Sequence, residues 1–149
     1  MSRFKKVISN IKKLDQWQIL FDTLSSSEIQ QFIIDLNLGQ LAKGENTEGD
    51  LIGFYKSFTY ASFKQGLPGR VAGFGVVDLN LTGQYYESYV IQLQRNADFI
   101  IDSDPIKDGK NLITIYGPGI EGLQETSIIN LGQKIIRPYV KETKKQILQ

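Results

Sequence analysis

From Tyr89 to Arg95 apolar and polar side chains take turns, with Tyr89, Ile91 and Leu93 on one face of an extended chain and Val90, Gln92 and Gln94 on the other. A period of two fits a strand with one face buried. Arg95-Asn96-Ala97-Asp98 then supplies turn chemistry, because Asn and Asp tolerate a left-handed backbone and bond their own main chain. Phe99-Ile100-Ile101 reads as a second strand, stopped by Asp102-Ser103-Asp104-Pro105. The stretch predicts a β-hairpin at the centre of the chain. Just before it, LTGQYYES (residues 81–88) predicts a short helix, and Tyr85, Tyr86 and Tyr89 recur at a spacing that lets them cover one face of the hairpin.

Helices flank this centre. Phe4, Val7, Ile8, Ile11, Leu14, Trp17, Leu20, Phe21 and Leu24 follow one another at intervals of three and four, which predicts a single amphipathic helix over 4–24. Ser25 followed by Glu28 has the form of a capping box for a second helix, with Ile29, Phe32, Ile33 and Leu36 as its apolar face and Asn37-Leu38-Gly39 as its end or bend. Residues 43–50 (KGENTEGD) read as a loop, 51–55 as a short strand and 57–64 as a short helix or turn. The run 66–75 (GLPGRVAGFG) is too rich in glycine for a helix and reads as a mobile arm. Residues 107–116 read as a strand or short helix, the β-branched Ile113-Thr114-Ile115 favouring strand. A long helix over about 124–148 closes the chain, with Pro138 expected to kink or break it near Ile135. The order of elements predicts a single α+β domain over 1–149. It has a helical segment at 4–41, a small antiparallel sheet with a central hairpin packed on the N-terminal helices, and a long C-terminal helix.

Composition narrows function. The 149 residues include no cysteine and no histidine, which removes disulfides, thiolate nucleophiles, histidine bases and the usual zinc sites. The basic start Met1-Ser2-Arg3-Phe4-Lys5-Lys6 has no apolar block behind it and is not expected to be a signal peptide, and no run is long enough to span a membrane. Net charge is only +1, yet its distribution is uneven. Arg3, Lys5, Lys6, Lys12 and Lys13 precede the first acid, Asp15, and Lys134, Arg137, Lys141, Lys144 and Lys145 face only Glu142 near the end. Asp15 to Asp50 holds seven acids, with Lys43 as its one cation. Each group reads first as the solvated face of a helix. The sharper alternatives are complementary surfaces that meet between copies, marked by Lys12, Lys13, Lys144, Lys145, Asp35 and Glu48, or contact with DNA phosphates.

Asp98, Asp102 and Asp104 have the residue type for a carboxylate acid/base pair or a calcium site, but their spacing fits a plain turn better. Glu45, Glu48 and Asp50 read as a solvated loop rather than a cation site. GLPGRVAGFG lacks the Gly-Lys-Ser/Thr of a phosphate loop. The tyrosines and phenylalanines are not interleaved with Lys or Arg, so they read as core or interface packing rather than base stacking. No catalytic residue, metal or cofactor is expected.

Gly49-x-x-Ile52-x-x-Tyr55, Val77-Asp78-Leu79 with Thr82-Gly83 and Tyr86-x-Ser88, then Tyr116-Gly117 and Ile120-x-Gly122-Leu123 before a closing helix, form a pattern over about 45–140. It resembles the head–tail joining, tail-completion and tail-terminator proteins of tailed bacteriophages, including those grouped with the Mu virion-morphogenesis protein. The resemblance implies a non-enzymatic virion protein, assembled in the bacterial cytoplasm as a ring (six copies being one option) at the head–tail junction or top of the tail. Its implied partners are further copies of itself and neighbouring neck, portal-adaptor or tail-tube proteins, with DNA passing through the lumen without specific binding. The 66–75 arm, with Arg70 near its middle, is expected to reach a neighbour or the lumen. The alternative is a soluble non-enzymatic binding module that uses the same Gly66–Gly75 loop.

Overall fold

A computed structural model describes residues 3–149; Met1 and Ser2 lie outside the described residues. Where one helix is expected over 4–24, the chain forms two, α1 (Arg3–Lys13) and α2 (Gln16–Leu24). Asp15 makes the break. It leaves helical geometry (φ −94°, ψ 95°), and its carboxylate accepts from the Gln18 backbone N–H at 3.0 Å, capping α2. The apolar spacing continues across Leu14-Asp15, so periodicity alone does not register the cap.

The next cap shifts by one residue. Ser26, not Ser25, accepts from the Ile29 N–H at 3.3 Å and starts α3 (Ser27–Lys43), while the Ser25 hydroxyl donates to Phe21 O at 2.8 Å and closes α2. Asn37-Leu38-Gly39 does not end α3. The helix runs on to Gly44, whose φ is +81° and whose added Cβ would stand 2.2 Å from Val76 Cγ1 and 2.8 Å from Val77 O. Both the left-handed turn and the close approach demand glycine there. Asn37 is buried because it bonds another segment: its amide donates to Ile120 O and accepts from Gly122 N, each at 3.2 Å.

The expected strand at 51–55 is reduced to isolated bridges, Glu45↔Leu51 and Phe54↔Val76. Ser57 caps α4 (Phe58–Gln65), accepting from the Tyr60 N–H at 3.3 Å. Gly83, at φ +83°, opens the short α5 (Gln84–Glu87). The central hairpin forms as expected, β1 (Val90–Leu93) antiparallel to β2 (Phe99–Asp102) with Val90 opposite Asp102 and Leu93 opposite Phe99. The left-handed residue of its turn is Ala97 (φ 57°) rather than Asn96 or Asp98. Ala97 is buried in the core, where a methyl fits and a polar side chain would need partners.

A second ribbon pairs β3 (Ile106–Lys107) with β4 (Lys110–Asn111) around Asp108-Gly109, both at positive φ, the conformation a tight hairpin turn requires. Ile113-Thr114-Ile115 then lies in a helix, α6 (Leu112–Tyr116), contrary to its strand propensity. Asn111 caps it by accepting from the Thr114 N–H at 3.1 Å. A 3₁₀ turn (Pro118–Ile120) leads to α7 (Glu125–Leu148). Pro138 does not break α7, which remains helical throughout. Proline removes one intrahelical bond, and α7 as a whole is packed on by α1, α2 and α3.

The fold is α+β, helices around two small two-stranded antiparallel sheets. Its core joins Leu24, Ile29, Ile33 and Leu41 to Tyr85, Tyr89, Ile101, Ile120 and Leu131, so that α2, α3, α5, the hairpin and α7 share one apolar interior. Tyr85 and Tyr89 pack edge-to-face at 5.2 Å, and the Tyr89 hydroxyl donates to Tyr85 Oη at 2.9 Å or Ile120 O at 3.0 Å. No helix among the described residues is long and apolar enough to cross a membrane.

Candidate functional site

Asp78, inside the Val77-Asp78-Leu79 run, is densely engaged by polar groups from several segments. One carboxylate oxygen meets Lys64 Nζ at 2.7 Å, the Tyr55 hydroxyl at 3.1 Å and the Asn80 backbone N–H at 3.2 Å. The other is bonded by the Arg70 guanidinium. Its carbonyl accepts from the Tyr86 hydroxyl at 2.6 Å. Lys64 also donates to Asn80 O, and Arg70 donates to Gly73 O and Val76 O. The three charged side chains are 1% (Lys64), 3% (Arg70) and 8% (Asp78) exposed, and both cations stand 5.9 Å from the centre of the Tyr55 ring. Leu79, next in the chain, holds φ 55°, a conformation unfavourable for a branched side chain that the Asp78–Asn80 turn fixes in place.

Burial raises the Tyr55 phenol above its ordinary range, with the Asp78 charge adding to it, and Tyr86 is raised by the same two causes in the same order. Both phenols therefore stay neutral and serve as donors. Among the described residues, no buried side-chain nitrogen or oxygen lacks a hydrogen-bond partner. The cluster spends its donors and acceptors on the fold, closing the 66–75 run onto α4 and the Asp78 turn.

Arg70 does not lie as the sequence leads one to expect. Expected to reach outward from a mobile arm, it turns inward, because a buried carboxylate offers its guanidinium a charge-assisted bond that solvent does not match. A cleft of about 390 Å³ remains between this segment and the Asp78 turn, lined by Pro68, Arg70, Asn80, Thr82 and Tyr86 among others.

Of the candidate acid/base or metal carboxylates, Asp102 and Asp104 serve local structure. Asp102 accepts from Gln92 Nε2 and from Ser103 N, and Asp104 accepts from Ile106 N at 3.0 Å. In the 43–50 loop, Asn46 Oδ1 accepts from the N–H groups of Glu48 (2.9 Å) and Asp50 (3.0 Å), leaving both carboxylates exposed. No group of three or more acids among the described residues is placed to hold a metal ion.

The remaining predicted residues lie on the surface, in two groups. Asn10 Nδ2 donates to Ile147 O at 3.1 Å, setting α1 against the last turns of α7 and placing Lys12, Lys13, Lys144 and Lys145 at one end of the molecule. Lys145 lies 3.5 Å from Glu142 in an exposed pair. Asp35 is exposed on α3, accepting from Gln31 Nε2 at 2.8 Å, and Glu48 is exposed in the loop after α3. Sequence reasoning missed the apolar part of this surface. α1 buries none of its residues, Phe4 is 72% exposed and Trp17 66%, and Ile136 and Val140 are exposed on α7. The amphipathic spacing was visible, but it does not say whether an apolar face is covered by the chain's own core.

Comparison with known proteins brings no match to any family model, curated protein or solved structure.

Proposed function

We propose that the chain is a structural virion protein of a tailed bacteriophage, assembling as a ring at the head–tail junction or the top of the tail. What supports the reading is where its residues are spent. The ones that carry the resemblance build the fold: Asp78, Tyr55 and Tyr86 in the ion cluster, Ser88 bonding Tyr85 O and Asp104 N, Ile120 and Gly122 bonding Asn37. The surface left over is apolar and oppositely charged in separate places, as a subunit needs when one face meets a different face of the next copy. Its neighbours are then further copies and the adjoining neck, portal-adaptor or tail-tube proteins. DNA passes through the lumen without specific contact, and the protein is built into the virion in the host cytoplasm. Interrupting the gene with a suppressible stop codon tests this by electron microscopy of the lysate. Filled heads and unjoined tails, or tails of irregular length, are expected without suppression; intact joined particles would overturn the reading.

The second reading, a binding module using the Gly66–Gly75 loop, draws on the 390 Å³ cleft beside Arg70 and Asn80. A ligand that raises the melting temperature, and fails to do so after Thr82→Trp, is its expected signature. A ligand screen with no such hit counts against it.

A further inference from the structure

Two exposed patches on this chain match each other in chemistry and sit where they cannot meet within one molecule. The first is an apolar groove of about 370 Å³ between α2 and α7, lined by Trp17, Leu20, Ile135, Ile136 and Tyr139, which continues along α7 into a hollow formed by Ile136, Val140, Arg137, Lys141 and Lys144. Its floor is apolar and its rim basic. The second is the loop from Glu45 to Phe54. Glu48 and Asp50 are exposed beside Leu51 and Phe54, the latter 64% exposed, so this loop presents apolar knobs among acids.

The loop is built before any partner arrives. Asn46 Oδ1 holds two of its N–H groups, Asn46 N donates to Asp50 O at 2.9 Å, and Thr47 N donates to Gly119 O at 2.9 Å. A preformed loop loses little freedom on docking. It is also pinned to the start of α7, since Gln124 Nε2 donates to Glu45 Oε2 at 2.9 Å and to Asn46 O at 3.0 Å. The basic rim, Arg137 to Lys144, lies about 20–30 Å further along that helix at 1.5 Å per residue. The opposite charges at the two ends can be paired only by another chain.

We infer that the α2–α7 groove receives the Glu45–Phe54 loop of a second copy, with Leu51 and Phe54 on the apolar floor and Glu48 and Asp50 against Arg137, Lys141 and Lys144. Such a contact uses different faces of the two copies, so it propagates from copy to copy and closes into a ring where the rotation between neighbours permits. The inference rests on the subunit reading and names the surfaces that reading requires.

The absence of cysteine makes the test clean. In Asp50→Cys/Lys144→Cys protein the two thiols of one chain are too far apart to join. Mild oxidation should give a ladder of covalent multimers on a non-reducing gel, collapsing to one band on reduction, while each single variant stops at a dimer. Independently, Lys141→Glu/Lys144→Glu should shift sedimentation to the monomer with an unchanged circular dichroism spectrum, and adding Glu48→Lys/Asp50→Lys to the same chain should restore the oligomer. A wild-type chain that stays monomeric at every concentration, or an oligomer that gives no ladder and ignores the charge reversal, overturns the inference. An acidic protein from another gene as occupant would show as monomeric wild type whose incorporation into particles is lost in Lys141→Glu/Lys144→Glu. A ladder without the protein in virions would leave this contact standing and remove the phage reading. Protein found in virions without a ladder would do the reverse.

Discussion

Asp78 ties together segments far apart in the chain: Tyr55 before α4, Lys64 within it, Arg70 beyond it and Tyr86 on α5. One carboxylate between two buried cations is a stabiliser only while all three are present, because removing the anion leaves two charges desolvated and mutually repelled. Asp78→Asn is therefore expected to lower unfolding stability by about 3–5 kcal/mol in chemical denaturation; a loss under about 1 kcal/mol would mean the cluster is not as closed as its geometry indicates. The tyrosines give a pH-dependent counterpart. Tyr55, Tyr86 and Tyr89 are raised from the ordinary phenol value of 10.0, chiefly by burial. Their stabilising contribution is complete below pH 10 and falls as pH rises above it, because the unfolded chain releases those protons while the folded chain keeps them. Absorbance at 295 nm is expected to show part of the phenolate signal appearing only together with loss of the circular dichroism spectrum. Complete tyrosine ionisation in a folded chain would contradict this.

Helix ends decide more of this fold than propensity does. The hairpin was legible from its period of two and the turn between its strands, though its left-handed residue is Ala97, and the helical segments were legible from their three-and-four spacing. What the sequence did not disclose was which of several eligible residues caps. Asp15 divides one apolar stripe into two helices, and Ser26 caps in place of Ser25. Asn111 turns a β-branched run helical. The inward turn of Arg70 was hidden for a related reason: its partner Asp78 lies eight residues on, and nothing local marks that carboxylate as buried. Ser26→Ala is expected to cost about 1 kcal/mol, read from the denaturation midpoint, with Ser25→Ala costing clearly less. Equal effects would contradict the cap assignment. Gly39 within α3 and Gly44 at its C-cap should respond in opposite directions. Gly39 is exposed with open space around its Cβ position, so Gly39→Ala should stabilise by about 0.5–1 kcal/mol. Gly44→Ala should destabilise, since its φ and the contact with Val76 both oppose a side chain.

At the scale of the whole molecule, the chain covers its central core and leaves α1, the α2–α7 groove and several phenylalanines open. Phe58 and Phe74 pack on each other, 5.6 Å apart, with both rings still exposed. Exposed apolar surface of this extent in a folded chain favours association. Because the proposed contact carries opposite charges at an exposed rim, raising salt should weaken it, and sedimentation at 0.1 M and 1 M salt reads that directly as a shift toward monomer. Assembly unaffected by salt would assign the contact to the apolar floor alone. The central claim concerns where the protein resides, and gold-labelled antibody against this chain, applied to purified phage particles, addresses that most directly. Gold confined to the head–tail junction or tail end is the expected result, and a reconstruction there would count the copies in the ring. Particles that stay unlabelled, both intact and after opening with detergent, would contradict the virion assignment.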